Sequence, residues 1–204
     1  MSTAAVNDVL RARGLTRQVI PLAIVPVRDD MRLAGVAFTI KGAKSLRLDG
    51  EMEERAAMLE EISDHSICVW DTSGDDESAQ WGEVMTMAAQ RKGCRGAVVD
   101  GGVRDTERIS ALDFPVFARY RTSNGMLGRF RLTGWQIDVR LGEVTISSGD
   151  VIVGDLDGVI VVPRALAEET LIASEEIEDA EIGIKQMITS GVEPREVVKR
   201  GGYF

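Results

Sequence analysis

The chain is poor in cysteine, histidine, positive charge and long apolar runs, and each shortage argues against a class of function. Among 204 residues there are two cysteines and one histidine, and 33 acidic residues against 24 basic ones give a net charge of −9. Because proteins that bind a phosphate backbone need clustered Lys and Arg, we expect no nucleic-acid partner. No apolar run approaches the length that spans a bilayer, so we expect no membrane partner either.

The two cysteines and the histidine do not form a recognisable reactive group. Cys68 and Cys94 lack CxxC spacing and have no other partner in the sequence, so we expect reduced, ordinary thiols in a cytoplasmic protein. His65 follows the acidic segment EMEERAAMLEEISD, where the C-terminus of a helix would favour its charge. We therefore assign His65 a structural role. The N-terminal segment MSTAAVNDVLRARG lacks the basic start and apolar core of a secretory signal, and it predicts a helix capped by Ser2 or Thr3.

The length and the pattern of elements predict one α/β domain over residues 1–204. Helices and strands alternate through the first half, which is typical of a largely parallel sheet with helical cover. The predicted strands cover 19–27, 33–41, 66–70, 96–100 and 115–118, and the predicted helices cover 1–14, 51–64, 83–92 and 104–112. Short strands follow from Phe130, with a hairpin turn at Asp155-Leu156-Asp157-Gly158 that lacks the further acidic ligands of a calcium loop. A long acidic helix at 165–190 and a short one at 194–199 are predicted to pack on this domain or on neighbouring subunits.

Two of the predicted helices carry apolar residues at helical spacing. In the first, Met52, Ala56, Leu59 and Ile62 recur at intervals of three and four residues. In the second, Val84, Met87 and Ala88 share one face, and Gly93 provides a plausible left-handed stop. Such stripes predict the buried side of each helix.

The candidate site is formed by Glu83 and the pair Arg104-Asp105. If the helix from Glu83 packs antiparallel on the following strand, that strand ends where the helix began, close to the loop 101–105. Two carboxylates, a guanidinium and the free N–H groups of a helix start would then meet at one place, which suits a metal ion and a small anionic substrate. The alternative is a surface Arg-Asp pair beside a helix-capping glutamate.

The segment GEVMTMAAQRKGCRGAVVDGGVRD, followed by SSGDVIVGDLDGVIVVP and a long acidic helix, resembles the regulator-of-ribonuclease-activity-A-like (RraA-like) family. That family includes class II 4-hydroxy-4-methyl-2-oxoglutarate/4-carboxy-4-hydroxy-2-oxoadipate aldolases. The resemblance covers roughly residues 33–191. It implies a swivelling β/β/α-type domain with a central sheet, assembled as a homotrimer or hexamer with sites at subunit boundaries.

The resemblance also implies roles for individual residues. Asp105 would hold Mg²⁺ or Mn²⁺, Arg104 would donate to the keto oxygen of a 2-oxo acid, and the backbone N–H groups of Val84 and Met85 would receive its carboxylate. Glu83 would handle the proton of the C4 hydroxyl, in a position where the aldolases usually have Asp. The products would be pyruvate and a carbonyl compound, with oxaloacetate decarboxylation at the same site.

Other assignments stay open at this stage. Arg119 and Arg121 could bind a distal carboxylate of the substrate, or they could only solvate an exposed turn. The resemblance also implies that Glu178 or Glu181 of a neighbouring subunit could complete the outer shell of the metal. A Schiff-base aldolase would need a desolvated lysine, but none of the five lies in an apolar loop beside Arg104-Asp105; they are Lys41, Lys44, Lys92, Lys185 and Lys199.

Two functions other than aldol cleavage are also considered. One is a non-catalytic regulator that binds a ribonuclease or RNA helicase. Regulators typically carry an acidic residue three positions after the Arg-Asp pair, where this chain has Arg108, with Glu107 one residue early. The other is a phosphohistidine carrier, suggested by the swivelling fold, which would need its histidine on a loop, and the predicted helical position of His65 argues against it.

Overall fold

The computed structural model describes residues 1–204, which form six α-helices and eleven strands. The helices are α1 (Thr3–Ala12), α2 (Glu51–Glu61), α3 (Glu83–Arg91), α4 (Thr106–Ala111), α5 (Ala167–Thr189) and α6 (Pro194–Lys199). The strands are β1 (Val25–Pro26), β2 (Leu33–Lys44), β3 (Ser66–Asp71), β4 (Ala79–Trp81), β5 (Gly96–Val103), β6 (Val116–Arg121), β7 (Phe130–Trp135), β8 (Val139–Leu141), β9 (Val144–Ile146), β10 (Val151–Asp155) and β11 (Gly158–Val162).

One mixed sheet of nine strands organises the molecule, in the order β1-β6-β5-β3-β2-β10-β11. The strands β2, β3, β5 and β6 run parallel, as the alternation of helices and strands predicts, and β4 adds to β5. The later strands β7 and β10 pair antiparallel with β2. A bridge from Val19 to Ile160 of β11 brings the two edges of the sheet together, so the sheet nearly closes. The predicted α/β class with central sheet, helical cover and long C-terminal helix is confirmed.

The core lies between this sheet and the helices, and large aromatic side chains dominate it. Trp70, Trp81, Phe114, Phe117 and Phe130 are all less than 2% exposed. Full burial of one such side chain stabilises the fold by about 1.5–3 kcal/mol. The rings of Trp81 and Phe114 stack with centroids 6.0 Å apart, which fixes the short strand β4 above the core. This strand leads directly into α3 and therefore positions the site.

The N-terminal helix is fixed by two polar contacts at its start. Ser2 caps α1 by accepting a hydrogen bond from the backbone N–H of Ala5 at 3.3 Å. Asp155 accepts hydrogen bonds from the backbone N–H and the hydroxyl of Thr3 at 2.8 and 2.7 Å. Asp155 also pairs with Gly158 across the predicted two-residue hairpin. The hairpin turn is confirmed, and its first residue anchors α1 against β11 and α5.

The strand β5 extends three residues further than the sequence predicts. Gly101, Gly102 and Val103, expected in a loop, continue the strand to the edge of the site. The reason is close packing: a Cβ on Gly101 would lie 2.4 Å from the Gln80 side-chain oxygen, and one on Gly102 would lie 2.5 Å from the Ser78 carbonyl oxygen. The two glycines therefore let β4 approach β5 at this point.

The predicted inner faces of α2 and α3 are only partly confirmed. The buried residues of α2 are Glu51, Arg55 and Met58, while Met52 is half exposed. In α3, Val84 is 77% exposed and Met87 is 53% exposed. The side chains that pack inward there are Met85, Thr86 and Ala89. Of the first stripe, Ile62 is buried in the main core and Leu59 packs against it, whereas Met52 and Ala56 are exposed.

Three boundaries near the site also differ from the sequence prediction. The helix α2 ends at Glu61, so His65 is an exposed residue in a turn with φ of 63° and does not lie at a helix end. Helix α4 begins two residues later than predicted, which leaves Arg104 and Asp105 before it. Strand β6 continues to Arg121, so Arg119 and Arg121 belong to the strand. No helix combines the length and the apolar composition needed to cross a membrane.

Candidate active site

The side chains of Arg104 and Asp105 converge on Gly82, at the junction of β4 and α3. A Cβ on Gly82 would lie 2.9 Å from Asp105 Oδ2 and 3.2 Å from Arg104 Cγ. The backbone N–H of Arg104 donates to the Trp81 carbonyl oxygen at 3.0 Å, which joins the end of β5 to the end of β4. The absence of a side chain at position 82 therefore lets both functional groups approach the start of α3.

The backbone at Asp105 is left-handed, with φ of 56° and ψ of 31°. Successive side chains along an extended strand point to opposite sides, but this conformation turns the chain so that the carboxylate returns towards Arg104. Arg104 Nε lies 3.6 Å from Asp105 Oδ2. A left-handed aspartate is uncommon and carries a modest strain, and such residues cluster at functional sites.

The predicted meeting of Glu83 with Arg104-Asp105 occurs, but through the backbone of Glu83. Its N–H donates to Asp105 Oδ2 at 3.3 Å, so Asp105 occupies the free amide at the start of α3. The Glu83 carboxylate points to α4 and accepts a hydrogen bond from Arg108 Nη1 at 3.0 Å. Hydrogen bonding to Glu83 raises the pKa of the Arg108 guanidinium. The structure thus pairs four charges in two neighbouring ion pairs at this junction.

A cavity of about 500 Å³ opens beside this junction. Its lining includes Arg104, Asp105 and the first turn of α3 at Val84 and Met85. The apolar stripe of α2 forms another part of the wall, through Met52, Ala56 and Leu59. The exposed apolar residues of α2 and α3 therefore line a cavity that opens to solvent. A cavity of this size accommodates a small organic acid.

The ionisable groups that line the cavity are three arginines and one aspartate: Arg55, Arg104, Arg129 and Asp105. In a protein with a net charge of −9 this is a local excess of positive charge, which favours an anionic ligand. Arg55 was not predicted as a site residue. Its position in the acidic run EMEERAAMLEE reads as the solvated face of a helix, and no signal in the sequence distinguishes it from a surface arginine.

Arg55 is only 9% exposed and has few hydrogen-bond acceptors. Burial lowers the pKa of its guanidinium, Glu51 opposes this, and the positive charge of Arg104 lowers it further. Its plane lies 5.5 Å from the centre of the Trp70 ring, in a cation–π arrangement. This is the one deeply buried cation of the cavity.

A polar network under the site fixes the loop before β4. The buried carboxylate of Asp75 accepts hydrogen bonds from the N–H and hydroxyl of Ser78 and from Gln80. Burial raises the pKa of Asp75, but these hydrogen bonds outweigh burial and hold it below its ordinary value. Gln80 in turn accepts from the backbone N–H of Gly102 at 2.9 Å, which joins the loop to β5. The lining residues 79–82 are thereby held in register.

The other candidate residues lie outside this cavity. Arg119 forms an ion pair with Asp100. Arg121 donates to the Val27 carbonyl oxygen and lines a second cavity, which Arg104 and Asp105 also line. None of the five lysines lines either cavity, which leaves no lysine for a Schiff base at the site. Glu178 is bonded to the N-terminus of its own chain, and Glu181 pairs with Lys185.

The cysteines and the histidine are also placed away from the cavity. Cys68 and Cys94 are buried neighbours, with sulfurs 3.6 Å apart, which the sequence did not indicate. Hydrogen bonding to Cys94 and burial raise the pKa of the Cys68 thiol well above its ordinary value. His65 lies on a loop, which removes the positional argument against a carrier role, but its ring faces only Asp64 at 3.3 Å.

The residues at the junction could hold a divalent ion with one protein carboxylate. Within the chain, no group of three or more His, Cys, Asp or Glu side chains is arranged to bind a metal. Mg²⁺, however, keeps several waters and is commonly bound through one or two carboxylates together with the substrate. Asp105 is the only carboxylate of the cavity lining, and Gly82 leaves one side of Oδ2 without a covering side chain. The donor set fits an ion held in this way.

The fold is that of the RraA-like proteins, and the chain belongs to that family. The family model described as Aldolase/RraA matches residues 3–161.

Among curated relatives, protein DlpA of Legionella pneumophila is 30% identical over 190 residues. The match covers 93% of this chain and 31% of the relative, so the chain spans about a third of that protein's length. A putative 4-hydroxy-4-methyl-2-oxoglutarate aldolase of Halalkalibacterium halodurans is 32% identical over 172 residues, which are 83% of this chain and 76% of the relative.

Two solved structures share the fold. One, described among novel cellulases from microbes associated with the gut ecosystem, is 50% identical with a TM-score of 0.87, and the match covers 90% of this chain and 82% of that one. RraAS2 of Streptomyces coelicolor, described as an unusual member of the RNase ES inhibitor RraA protein family, is 25% identical with a TM-score of 0.81, and the match covers 91% of each chain. Relatives of this chain thus include proteins named for aldol cleavage and for ribonuclease inhibition.

Proposed function

We propose that this protein is a divalent-metal-dependent aldolase that cleaves a 4-hydroxy-2-oxo acid to pyruvate and a carbonyl product, and that it also decarboxylates oxaloacetate. The observation that carries the proposal is the convergence of Arg104 and Asp105 on Gly82 at the wall of a cavity of about 500 Å³. A surface ion pair with no function would not need a glycine beneath it or a cavity beside it. The name of the Halalkalibacterium relative supports the same chemistry.

Asp105 would hold Mg²⁺ or Mn²⁺ in this proposal, with water and substrate in most other positions. Bound there, the ion supplies positive charge that stabilises the negative charge developing on the C2 oxygen as the C3–C4 bond breaks. Gly82 contributes by leaving the approach to the carboxylate open, since a Cβ would lie 2.9 Å from Oδ2.

Arg104 and the start of α3 would bind the 2-oxo acid. The guanidinium of Arg104 donates to the keto oxygen, and the donor is strongest when charge has accumulated on that oxygen, so it lowers the barrier more than it tightens ground-state binding. The first N–H groups of a helix have no intrahelical acceptor, and Val84 and Met85 both line the cavity. In this proposal their amides would receive the substrate carboxylate.

Glu83 would take the proton of the C4 hydroxyl, through a water molecule. The hydroxyl oxygen becomes the carbonyl of the second product, and the carbon that was C3 gains a proton from solvent to give the methyl group of pyruvate. The Glu83 carboxylate is bonded to Arg108 and is partly exposed, with 27% of the side chain accessible, so water reaches it. A carboxylate in contact with water is a suitable proton acceptor.

We also propose that the protein assembles as a homotrimer or hexamer with its sites at subunit boundaries. Large apolar side chains that line the cavity are exposed in the single chain, including Val84 at 77%, Met52 at 49% and Leu127 at 48%. Exposed apolar side chains grouped in this way favour association. An acidic residue of a neighbouring α5, Glu178 or Glu181, would then be available to the outer shell of the site. Light scattering with size-exclusion chromatography tests the assembly.

A pyruvate-release assay tests the function. The substrates are oxaloacetate and a panel of 4-hydroxy-2-oxo acids, each measured with Mg²⁺ and then with excess chelator. We expect release that the chelator abolishes and Mg²⁺ restores. Release that is indifferent to chelator, or that survives Asp105→Ala, would overturn the metal-dependent mechanism.

The second candidate is a non-catalytic regulator that binds a ribonuclease or an RNA helicase. The description of the Streptomyces relative favours it, and a net charge of −9 suits a basic partner. Pyruvate release and ribonuclease binding, measured on the same preparation, distinguish the two functions. Failure to release pyruvate from any substrate, together with tight binding to a ribonuclease that persists in Arg104→Met, would establish the regulator.

A further inference from the structure

The guanidinium of Arg55 is buried in the cavity wall without the acceptors that a buried cation requires. Its Nη1 reaches the Gln80 carbonyl oxygen at 3.4 Å and its Nη2 reaches Glu51 at 3.3 Å. Charge-assisted hydrogen bonds are normally 2.7–2.9 Å long, so both contacts are weak. Its Nε is buried with no partner at all. Few buried arginines are left in this state unless a further anion completes the set.

The remaining contacts of the Arg55 guanidinium are with the thioether sulfurs of Met85 and Met126. A thioether is a weak acceptor, and methionine is unbranched and readily changes rotamer. Both methionines line the cavity. A carboxylate that entered the cavity could displace these sulfurs and offer two strong acceptors in the fork geometry that a guanidinium prefers.

Arg55 and Arg104 line the same cavity, so one ligand can contact both guanidinium groups. Most of the other lining residues are hydrophobic, which suits the carbon chain of such a ligand.

We propose that Arg55 is a specificity-determining residue that binds a second carboxylate of the substrate, distal to the 2-oxo acid group. This inference rests on the proposed function, since it assigns the 2-oxo acid end to Arg104. It is an alternative to the distal carboxylate site considered at Arg119 and Arg121, since neither of those side chains lines this cavity and Arg121 lines the second one.

Paired ligands that differ in the distal group test the role of Arg55. Calorimetry in the presence of Mg²⁺ compares 2-oxoglutarate with 2-oxopentanoate, in which a methyl group replaces the distal carboxylate. We expect the intact protein to bind 2-oxoglutarate about 10- to 100-fold more tightly, as a hydrogen-bonded charge pair predicts. Arg55→Met is expected to remove this preference and to leave the affinity for 2-oxopentanoate within about twofold.

Arg131→Met is the matched control. Arg131 also faces Glu51, at 3.9 Å, and pairs with Glu54, but it does not line the cavity. This variant removes one positive charge and one neighbour of Glu51, so it reproduces any effect that is merely structural or due to net charge. We expect it to retain the preference for 2-oxoglutarate. Arg55→Lys serves if Arg55→Met does not fold, and it is expected to keep part of the preference, because the charge remains while the fork is lost.

The outcomes separate the two proposals. Equal affinity of the intact protein for both ligands, or a preference that survives in Arg55→Met, overturns the role of Arg55 and leaves the proposed function standing. Failure of the intact protein to bind either 2-oxo acid overturns the proposed function and this inference with it. A preference that is lost equally in Arg131→Met shows that Arg55 has only a structural role.

Discussion

Replacing Gly82 by alanine adds one methyl group at the point where Arg104 and Asp105 converge, and it removes no charge. The backbone at Gly82 has φ of −162°, an extended conformation that alanine adopts without strain, so the effect of the substitution is steric. The added Cβ would lie 2.9 Å from Asp105 Oδ2, where ordinary contact begins at 3.4 Å. Asp105 must therefore move by about 0.5 Å or more, and this weakens its 3.3 Å hydrogen bond from Glu83 N–H.

The expected loss of activity follows from this displacement. A shift of about 1 Å in a positioning group costs about 10²-fold in rate, so a shift of half that size predicts a decrease in kcat/KM of about 10- to 100-fold. The loss of stability should be small, because Asp105 is partly exposed and can move towards solvent, with 35% of its side chain accessible. The measurement is pyruvate release with Mg²⁺, combined with thermal unfolding of the same preparation.

Gly183→Ala is the matched control, because it makes the same chemical change where there is space. Gly183 lies within α5, and no atom comes within 4 Å of the position of its Cβ. Alanine there should stabilise the helix by about 0.5–1 kcal/mol and leave activity unchanged. If folded Gly82→Ala retains the kcat/KM of the unmodified protein, then Asp105 and Arg104 do not act from the positions described, and the catalytic assignment is wrong.

Three further predictions concern the metal, the buried carboxylate and the thiols. Asp105→Asn is expected to lower the rate of pyruvate release by at least about 10²-fold. It should also weaken Mn²⁺ binding measured by electron paramagnetic resonance, and an unchanged Mn²⁺ affinity would show that Asp105 is not the metal ligand. Asp75→Asn should destabilise the protein by about 1–3 kcal/mol at pH 7, since hydrogen bonds hold the pKa of Asp75 below its ordinary 3.8. The stability that Asp75 contributes is complete above that value and is lost as pH falls through its lower, folded pKa. Urea unfolding should therefore show the difference between the two proteins shrinking as the pH is lowered below 3.8, and a constant difference would refute the argument. Cys68 and Cys94, both buried, are expected to react with a thiol reagent only after unfolding, and fast reaction of the native protein would show that this part of the core opens.

The elements that follow from local patterning were predictable from the sequence. Strand β3 is fully buried and reads as an unbroken apolar run, and the hairpin at Asp155–Gly158 follows from two strands with a two-residue turn. Element boundaries near the site were not predictable in the same way. Gly101 and Gly102 resemble loop residues in sequence, yet they form a strand because β4 approaches too closely for any side chain. That approach is a tertiary contact, and local propensity does not encode it.

In the candidate site, too, some features were predictable from the sequence and others depended on tertiary packing. The spacing between Glu83 and Arg104-Asp105 predicted that they meet, because the length of a helix and of the next strand fix where the chain returns. Spacing does not determine side-chain direction, so the pairing of Glu83 with Arg108 was not foreseen. Arg55 was missed for the related reason that its burial depends on the packing of α2 against the sheet and not on its neighbours in sequence.

The exposed stripes of α2 and α3 give the strongest argument that the cavity has a function. Met52, Ala56 and Leu59 lie at the spacing of a buried helix face, and the structure leaves them around a cavity whose wall also contains a buried arginine. An apolar surface open to water costs free energy, and a poorly paired cation costs more, so neither feature benefits the fold on its own. Both costs fall when an anion with a short carbon chain fills the space, because the chain covers the apolar wall and the charge satisfies Arg55. We expect Arg55→Met to be more stable than the unmodified protein and to lose its preference for a dicarboxylate. That combination would show that Arg55 lowers folding stability in return for ligand binding, which is expected of a binding residue and not of a structural one.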